Sequence, residues 1–296
     1  MVMGERGLWR NWLDRDGVAA LVFLLPALVL LGLFVVYPIG YLVGLSFTQG
    51  SFTRGGVHGV GLRNYLRLVV SPDFWQVLGN TVYFSVGTLV PSLGVPLGLA
   101  VGLDRIPRFR AVLRAAYFIP SITSLVAVGL GWRWLFQTDG VVNGAMALFG
   151  IAPVAWLGDP AWAMPVLILL TAWKQVGFNL VVFLAGLQNI PVSRYEAAAL
   201  DGAGPWQLFW YVTLPGLRPT LVFAFVTTGI FVLRSFEQVY VVTGGGPMNG
   251  TSLLVYYVYE QAFSQFDFGY AAAAASLLLA IALGLVYLQL RFSEEN

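Results

Sequence analysis

The stretch VAALVFLLPALVLLGLFVVYPIGYLVGL, residues 18–45, decides the fold of this protein. It contains no Asp, Glu, Lys or Arg, and it exceeds the roughly 20 apolar residues that a helix needs to cross a bilayer. Pro26 and Pro38 do not argue against a helix, because proline is tolerated in membrane helices. The stretch is too long for the apolar region of a signal peptide. It therefore predicts a first transmembrane span.

Five further stretches share this apolar composition. The whole chain is 58% hydrophobic and only 10% charged, whereas soluble domains carry about 25% charged residues. A membrane β-barrel would instead show short segments of alternating hydrophobicity. The composition therefore predicts an all-α integral membrane protein between a tail at 1–17 and a tail at 291–296. Its permease-like domain, 18–290, has six predicted spans, at about 18–45, 77–103, 114–136, 162–187, 219–242 and 268–290.

The distribution of arginine predicts the orientation. An even number of spans places both termini on one side, together with loops 104–114 and 188–218. These four segments hold ten basic residues, and the three loops on the opposite side hold three. Because cytoplasmic loops are enriched in Lys and Arg, we expect both termini to be cytoplasmic.

The chemistry that the chain lacks narrows the function. Lys174 is the one lysine, and it lies inside an apolar span rather than after a glycine-rich turn, so the sequence has no Walker A loop. Cysteine is absent, and the single histidine, His58, cannot build a metal site alone. We therefore expect a non-catalytic membrane protein with no metal or cofactor of its own and no nucleic-acid partner. Transporters, channels and assembly factors remain.

The loop at 188–218 contains the segment RYEAAALDGAGPWQLFWYVTLP, residues 194–215. Ser193 followed by Glu196 has the spacing of a capping box and predicts a helix that begins there. Gly202 and Pro205 predict its end, and a second short helix follows until Pro215. Such a helix-turn-helix, with alanine and aromatic side chains, is suited to docking in a groove on another protein. An amphipathic hairpin on the lipid surface is the alternative.

The spacing of Glu196, Ala197, Ala198 and Gly202 with the later Val212, Leu214 and Pro215 resembles the EAA motif of binding-protein-dependent ABC transporter permeases. The resemblance extends over nearly the whole chain. LLP at 24–26, FIP at 118–120, LAGLQNIP at 184–191 and TGGGP at 243–247 are similar to carbohydrate-uptake permeases of the maltose-transporter F-subunit or glycerol-phosphate type.

This resemblance implies a type I ABC importer permease in a bacterial or archaeal cytoplasmic (inner) membrane. It implies a second homologous permease subunit, a dimer of ATPase subunits that bind ATP and Mg, and an extracytoplasmic solute-binding protein. The solute is expected to be a di- or oligosaccharide or a related glycoside, moved by alternating access. The expected coupling residues are Glu196, Ala197, Ala198, Asp201, Gly202, Leu214 and Pro215, and the loop that faces the binding protein is Gly244, Gly245, Gly246 and Pro247.

Two alternatives stay open at this point. An ABC permease for another solute, such as glycerol phosphate, a polyol or a polyamine, has the same motif. A secondary transporter needs an ion-coupling carboxylate deep in a span, and Glu237 is the candidate.

Polar side chains within the predicted spans are candidates for the solute path. Thr81, Ser85 and Thr88 recur at helical spacing, although small hydroxyl residues also serve plain helix packing. An ionised Lys174 facing lipid would cost about 2.5–3.5 kcal/mol, so it should face protein or water. Arg234 and Glu237 are three residues apart and are expected to pair. The full set of candidates is Trp173, Lys174, Gln175, Asn179, Gln238, Tyr240, Thr81, Ser85 and Thr88.

Overall fold

A computed structural model describes residues 8–51, 56–104 and 110–294, and helices dominate these ranges. The α-helices in chain order are α1 Leu8–Leu31, α2 Tyr37–Ser46, α3 Arg63–Val70, α4 Pro72–Asp104, α5 Arg110–Ile122, α6 Leu125–Leu135, α7 Val141–Ala147, α8 Pro160–Gln188, α9 Val192–Leu200, α10 Pro205–Leu208, α11 Leu214–Gly216, α12 Arg218–Leu233, α13 Leu254–Tyr259 and α14 Phe268–Glu294. Single π-helical turns occupy Gly32–Val36, Phe209–Thr213, Val239–Thr243 and Glu260–Ser264. Strands β1 (Thr48–Ser51) and β2 (Gly56–Gly59) form an antiparallel pair.

Four helical segments within the described ranges are long and apolar enough to cross a membrane, and each matches a predicted span. They are Phe23–Ser46, Pro72–Leu103, Pro160–Gln188 and Phe268–Tyr287. Two bent helix pairs raise the number to six if each pair is one span: Ala115–Ile122 with Leu125–Leu135, and Pro205–Gly216 with Arg218–Leu233. The all-helical membrane architecture predicted from the sequence is therefore confirmed.

The third and fifth predicted spans are interrupted. In the third, α5 and α6 meet at an angle of 99° around Thr123 and Ser124. In the fifth, α12 ends at Leu233, and residues 234–236 leave the helix before a short helical segment resumes. The predicted span 219–242 is therefore not one helix. Interruptions at membrane depth are tolerated where the freed backbone groups are buried in protein or line a cavity.

Helices α4 and α8 pack along each other and form the centre of the molecule. One apolar cluster joins them near the loop at 188–218 and includes Ala100, Phe183 and Leu217. Another surrounds Phe84 and Leu167 at the level of the two interruptions. By contrast, an apolar stretch of 18 residues within Phe23–Ser46 has no buried residue. An exposed apolar helix of this kind is suited to lipid, whereas α4 and α8 hold the interior in place.

The loops at the opposite end from the 188–218 segment are ordered by polar contacts. The side-chain amide of Asn64 donates to the carbonyl oxygens of Ser46 and Thr48, at 2.9 and 2.8 Å. Arg67 pairs with Asp267 at 2.9 Å and lies 4.6 Å above the ring centre of Tyr270. These contacts attach α3 to the start of the last span.

Candidate functional site

A cavity of about 480 Å³ lies between the two interruptions and the middle of α8. Its size falls within the range of about 300–1,000 Å³ that is typical of small-molecule sites. Seven of its ten lining residues are polar or charged, whereas the neighbouring helices are apolar. The lining residues are Ser121, Thr123, Leu125, Lys174, Phe231, Arg234, Ser235, Phe236, Glu237 and Gln238.

Lys174 joins α8 to the interruption of the third span. Its ammonium group donates to the carbonyl oxygens of Pro120 and Thr123, at 3.0 and 2.5 Å. The hydroxyl of Ser121 donates back to the Lys174 carbonyl at 2.8 Å. The carbonyl groups at the end of α5 have no next helical turn to bond to, so the lysine replaces the missing N–H donors. Lys174 is 5% exposed and lines the cavity, so it faces protein and the cavity, in agreement with the expectation that it faces protein or water.

A second close approach supports this junction. A Cβ atom built at Gly177 would overlap the carbonyl oxygen of Tyr117 and lie 2.8 Å from the Cα of Phe118. Because glycine has no Cβ, α8 can approach the backbone of α5 this closely at Gly177. Lys174 and Gly177, three residues apart on α8, hold the same few residues of the third span.

The interruption of the fifth span leaves polar groups without partners. Ser235 and Gln238 are 4% and 1% exposed. Within the described ranges, neither the hydroxyl of Ser235 nor either polar atom of the Gln238 amide has a hydrogen-bond partner. Buried polar groups are nearly always hydrogen-bonded in proteins. A ligand or water in the adjoining cavity is therefore the partner that we infer for these three atoms.

Arg234 and Glu237 also line this cavity, but the predicted ion pair between them is not formed. The pair that the described residues do form is Arg67 with Asp267. The prediction assumed one continuous helix, in which residues three apart are neighbours. Because residues 234–236 leave the helix, Arg234 and Glu237 do not lie on successive turns. Both side chains are exposed.

Several predicted path residues lie in a helix contact and do not line the cavity. The side-chain amide of Asn179 donates to Ser92 O at 2.7 Å and to the hydroxyl of Thr228 at 3.0 Å. Thr81 donates to Val77 O and accepts the Leu254 N–H, at 2.7 and 3.0 Å. These groups join α4, α8, α12 and α13. Gln175 and the nearby Thr88 are likewise buried outside the lining, and Ser85 is half-buried there.

A series of aromatic side chains begins at the cavity lining. Phe236, which lines it, stacks on Tyr240 with ring centres 5.4 Å apart, and it lies 6.2 Å from Tyr256 and 5.0 Å from Tyr259. Phe263 continues the series at 5.3 Å from Tyr259. Only Tyr240 of this group was among the predicted path residues. Trp173, another predicted residue, lies apart from it and contacts Trp132 at 5.8 Å.

The glycine loop at 244–247 packs on this aromatic group. The Tyr256 hydroxyl donates to Gly244 O at 2.9 Å. A Cβ at Gly245 would lie 2.6 Å from the Tyr256 ring, which explains a glycine there. Thr251 bonds both Thr243 and the Gly246 carbonyl. The loop is thus a fixed structure directly attached to the aromatic side chains beside the cavity.

The segment at 192–216 folds as two short helices joined by a bend, as predicted. The N–H groups of Gly202 and Ala203 donate to the carbonyls of Ala199 and Ala198, both at 3.0 Å. With Gly202 at φ +83°, these bonds form a Schellman motif that closes α9. The predicted capping box at Ser193 is wrong. Helix α9 begins at Val192 with Pro191 as its N-cap residue and has no side-chain cap. Ser193 lies inside the first turn, so its hydroxyl is not at the capping position.

The two-helix segment is attached at its base and exposed at its bend. The Tyr195 and Thr213 hydroxyls are 3.1 Å apart, and Leu217 is fully buried. Leu200, Trp206 and Tyr211 are 90%, 71% and 79% exposed. The predicted coupling residues Glu196, Ala197, Asp201, Gly202 and Pro215 are exposed as well, while Ala198 and Leu214 are half-buried. Large apolar side chains in this position are typical of a protein-binding surface.

In the described part of the chain, no three His, Asp or Glu side chains are grouped to hold a metal ion. The geometry offers a cavity with polar and charged lining residues between interrupted helices, a fixed loop at 244–247 near it, and an exposed two-helix segment at 192–216.

Comparisons with known proteins agree with this architecture. Residues 94–293 match the family model described as the binding-protein-dependent transport system inner membrane component. The sulfoquinovosyl glycerol transport system permease protein SmoG of Agrobacterium fabrum is 37% identical over 96% of this chain and 93% of its own. The lactose transport system permease protein LacF of Rhizobium radiobacter is 36% identical over 100% of both chains.

Among solved structures, a chain of the bacterial alginate ABC transporter in complex with an alginate pentasaccharide-bound periplasmic protein is 26% identical to this chain. The two superpose with a TM-score of 0.81 over 98% of each chain. The resemblance inferred from the EAA motif is confirmed. The chain belongs to the family of binding-protein-dependent transport system inner membrane components, and it has the fold of an ABC importer permease.

Proposed function

We propose that this chain is the membrane-spanning permease subunit of an ATP-driven importer of a di- or oligosaccharide or a related glycoside. The names of the relatives support a sugar, since they are permeases for sulfoquinovosyl glycerol and for lactose. The cavity supports it as well, because it combines amide, hydroxyl and charged groups with aromatic rings. The location would be the cytoplasmic membrane of the cell, with both termini inside.

The observation that carries the proposal is the exposed two-helix segment at 192–216. An ATP-driven importer whose permease has no Walker A loop depends on ATP hydrolysis by another chain, and its permease needs a surface that receives the movement. The exposed Leu200, Trp206 and Tyr211 form such a surface, and the buried Leu217 connects it to α12. Glu196, Ala197, Ala198, Asp201, Gly202, Leu214 and Pro215 would seat in a cleft of the ATPase subunit.

The remaining partners follow from the same proposal. ATP and Mg would bind to a dimer of ATPase subunits, and a second homologous permease would complete the membrane part. An extracytoplasmic binding protein would deliver the sugar to the loop at 244–247. The periplasmic protein in the alginate transporter complex supports this last partner. The sugar would then pass the cavity between the two interruptions, where Lys174 and Gln238 lie.

Replacing Gly202 tests the coupling role. Valine at φ +83° is a backbone outlier, so Gly202→Val should distort the bend and reduce ATP-dependent uptake at least about tenfold while the chain still inserts. Gly204→Val is the matched control. Gly204 lies two residues away in an extended conformation, φ −74° and ψ 169°, which valine adopts easily.

The measurement is uptake of labelled sugar, with ATP hydrolysis, in proteoliposomes that contain both permeases, the ATPase and the binding protein. Normal uptake by Gly202→Val contradicts coupling through this bend. Uptake by the chain without any ATPase subunit, driven by a proton gradient, contradicts the importer proposal itself and supports a secondary transporter that uses Glu237. Import of glycerol phosphate, a polyol or a polyamine in preference to any sugar contradicts the solute class.

A further inference from the structure

The aromatic side chains at the outer end of the cavity form a continuous series. Phe236, Tyr240, Tyr256, Tyr259 and Phe263 are called here the aromatic group. Neighbouring ring centres in it are between 5.0 Å, for Phe236 and Tyr259, and 6.5 Å, for Tyr240 and Tyr256. Four short elements supply the rings: the interruption of the fifth span, the π-helical turn Val239–Thr243, α13 and the π-helical turn Glu260–Ser264. The series runs from the cavity lining toward the protein surface.

This group differs from an ordinary apolar core in its exposure. Tyr240 and Phe263 are 51% and 61% exposed, and Tyr256 and Tyr259 are half-buried. A cluster that only held the helices together would bury these rings, as Phe84 and Phe183 are buried elsewhere in the molecule. Ring surface therefore remains available for contact with another molecule.

The group also offers polar atoms beside the ring faces. Three of its five members are tyrosines. Glu260 follows Tyr259 in the chain, and burial together with the charge of Glu260 raises the pKa of Tyr256. Rings next to hydroxyl and carboxylate oxygens suit one kind of ligand in particular. The C–H faces of a pyranose pack on aromatic rings, while its hydroxyl groups donate to nearby oxygens.

The position of the group connects two sites of the proposed function. At one end, Phe236 lines the cavity next to the unpartnered Gln238 amide. At the other end, Tyr256 donates to the carbonyl of Gly244 in the glycine loop. A sugar that leaves the binding protein at this loop meets the aromatic rings before it reaches the cavity.

We propose that the aromatic group is an outer saccharide subsite, which holds one ring of the solute while a second ring occupies the cavity. This inference rests on the proposed function and extends it. The transported molecule has at least two sugar-sized units, and contact with the exposed Tyr240 contributes to the selection of its length.

The test uses the complete transporter in proteoliposomes: this chain, its partner permease, the ATPase and the binding protein. The probes are lactose and alginate pentasaccharide, which are named for a relative and for the structural neighbour and contain at least two sugar rings each. The probe that the wild type imports fastest is then compared with the monosaccharide from its non-reducing end. Uptake and ATP hydrolysis are measured in parallel.

Tyr240→Ala should raise the KM for the longer probe about tenfold, which is the size of effect expected from the loss of one good aromatic contact. Maximal ATP hydrolysis should stay within about twofold of the wild type, because the coupling segment is unchanged. Tyr240→Phe keeps the ring and should recover most of the affinity. Uptake of the monosaccharide, which fills the cavity alone, should be unaffected by Tyr240→Ala.

Tyr83→Ala is the matched control, since Tyr83 is 55% exposed on α4 and lies outside the aromatic group. Equal KM values for Tyr240→Ala and Tyr83→Ala overturn the subsite and leave the proposed function intact. An equal loss for the monosaccharide and the longer probe overturns the two-unit solute. A wild-type transporter that hydrolyses ATP with its binding protein but imports none of the saccharides overturns the proposed function, and the subsite with it.

Discussion

The interruption of the third span and that of the fifth span border the same cavity, but their polar groups are satisfied differently. At the third, Lys174 donates to the carbonyls of Pro120 and Thr123, and Ser121 bonds back to α8. At the fifth, the Ser235 hydroxyl and the Gln238 amide are buried without partners in the described structure. The first interruption is complete within the chain, whereas the second lacks bonding partners that a ligand can provide.

The difference teaches how to separate structural from solute-binding polar residues in a membrane protein. A buried group with a full set of partners stabilises the fold, and removing it leaves other groups unsatisfied. A buried group without partners costs stability in the empty protein, so it needs an explanation, and a bound ligand is one. By this criterion Lys174 and Asn179 stabilise the fold, and Gln238 is the stronger candidate for the solute.

The largest effect is expected for Gly177→Ala, which tests the close approach of α8 to the third span. The new methyl group would overlap the Tyr117 carbonyl, so the two helices must separate. We expect a loss of about 3 kcal/mol, measured as a fall in the thermal unfolding midpoint of the purified protein in detergent. Gly229→Ala on α12 is the control, since its Cβ would lie 3.8 Å from Leu285, an ordinary contact. Equal unfolding midpoints for the two variants would remove the distinction between the interruptions.

A smaller loss is expected for Lys174→Met, which keeps the length of the side chain but removes its donors. The carbonyls of Pro120 and Thr123 then lose a charged partner, at a cost of about 2 kcal/mol. Arg234→Met removes an exposed cation from the same cavity and should change the unfolding midpoint little. If Arg234→Met proves the more damaging of the two, the assignment of Lys174 to the fold is wrong.

The smallest change in stability, and one of opposite sign, is expected for Gln238→Leu. Removing two unpartnered polar atoms should leave the unfolding midpoint unchanged or raise stability by about 1 kcal/mol. Sugar uptake should nevertheless fall, because the cavity loses an amide. The comparison to make is stability against uptake in the same preparation. A destabilised variant with normal uptake would show that the amide serves the fold.

Much of the architecture was predictable, because apolar length and the EAA spacing are properties of the sequence. The four continuous membrane helices and the two-helix segment with its bend at Gly202 follow from them. The 99° bend at Thr123 was not predictable, since a charge-free run looks the same whether the helix is straight or broken. The freed carbonyls are backbone atoms and carry no sequence signal.

The site itself was only partly predictable for the same reason. Lys174 and Gln238 were visible as polar residues in apolar stretches, and both line the cavity. Asn179 was equally visible but lies in a helix contact with Thr228. Which of these side chains face one cavity depends on the positions of the interruptions. The run of tyrosines at 256–259 was an available signal that composition alone did not connect to Phe236.

The charges of the cavity have a consequence for ion leakage. Its lining carries the cations Lys174 and Arg234 against the single carboxylate of Glu237, so one formal positive charge is in excess. A passage wide enough for a sugar is also wide enough for hydronium or Na⁺. Fixed positive charge in a narrow, poorly solvated passage raises the free energy of any cation that enters it. Lys174, which stabilises a bent helix, would thereby also help the membrane to retain its ion gradients while neutral solutes pass.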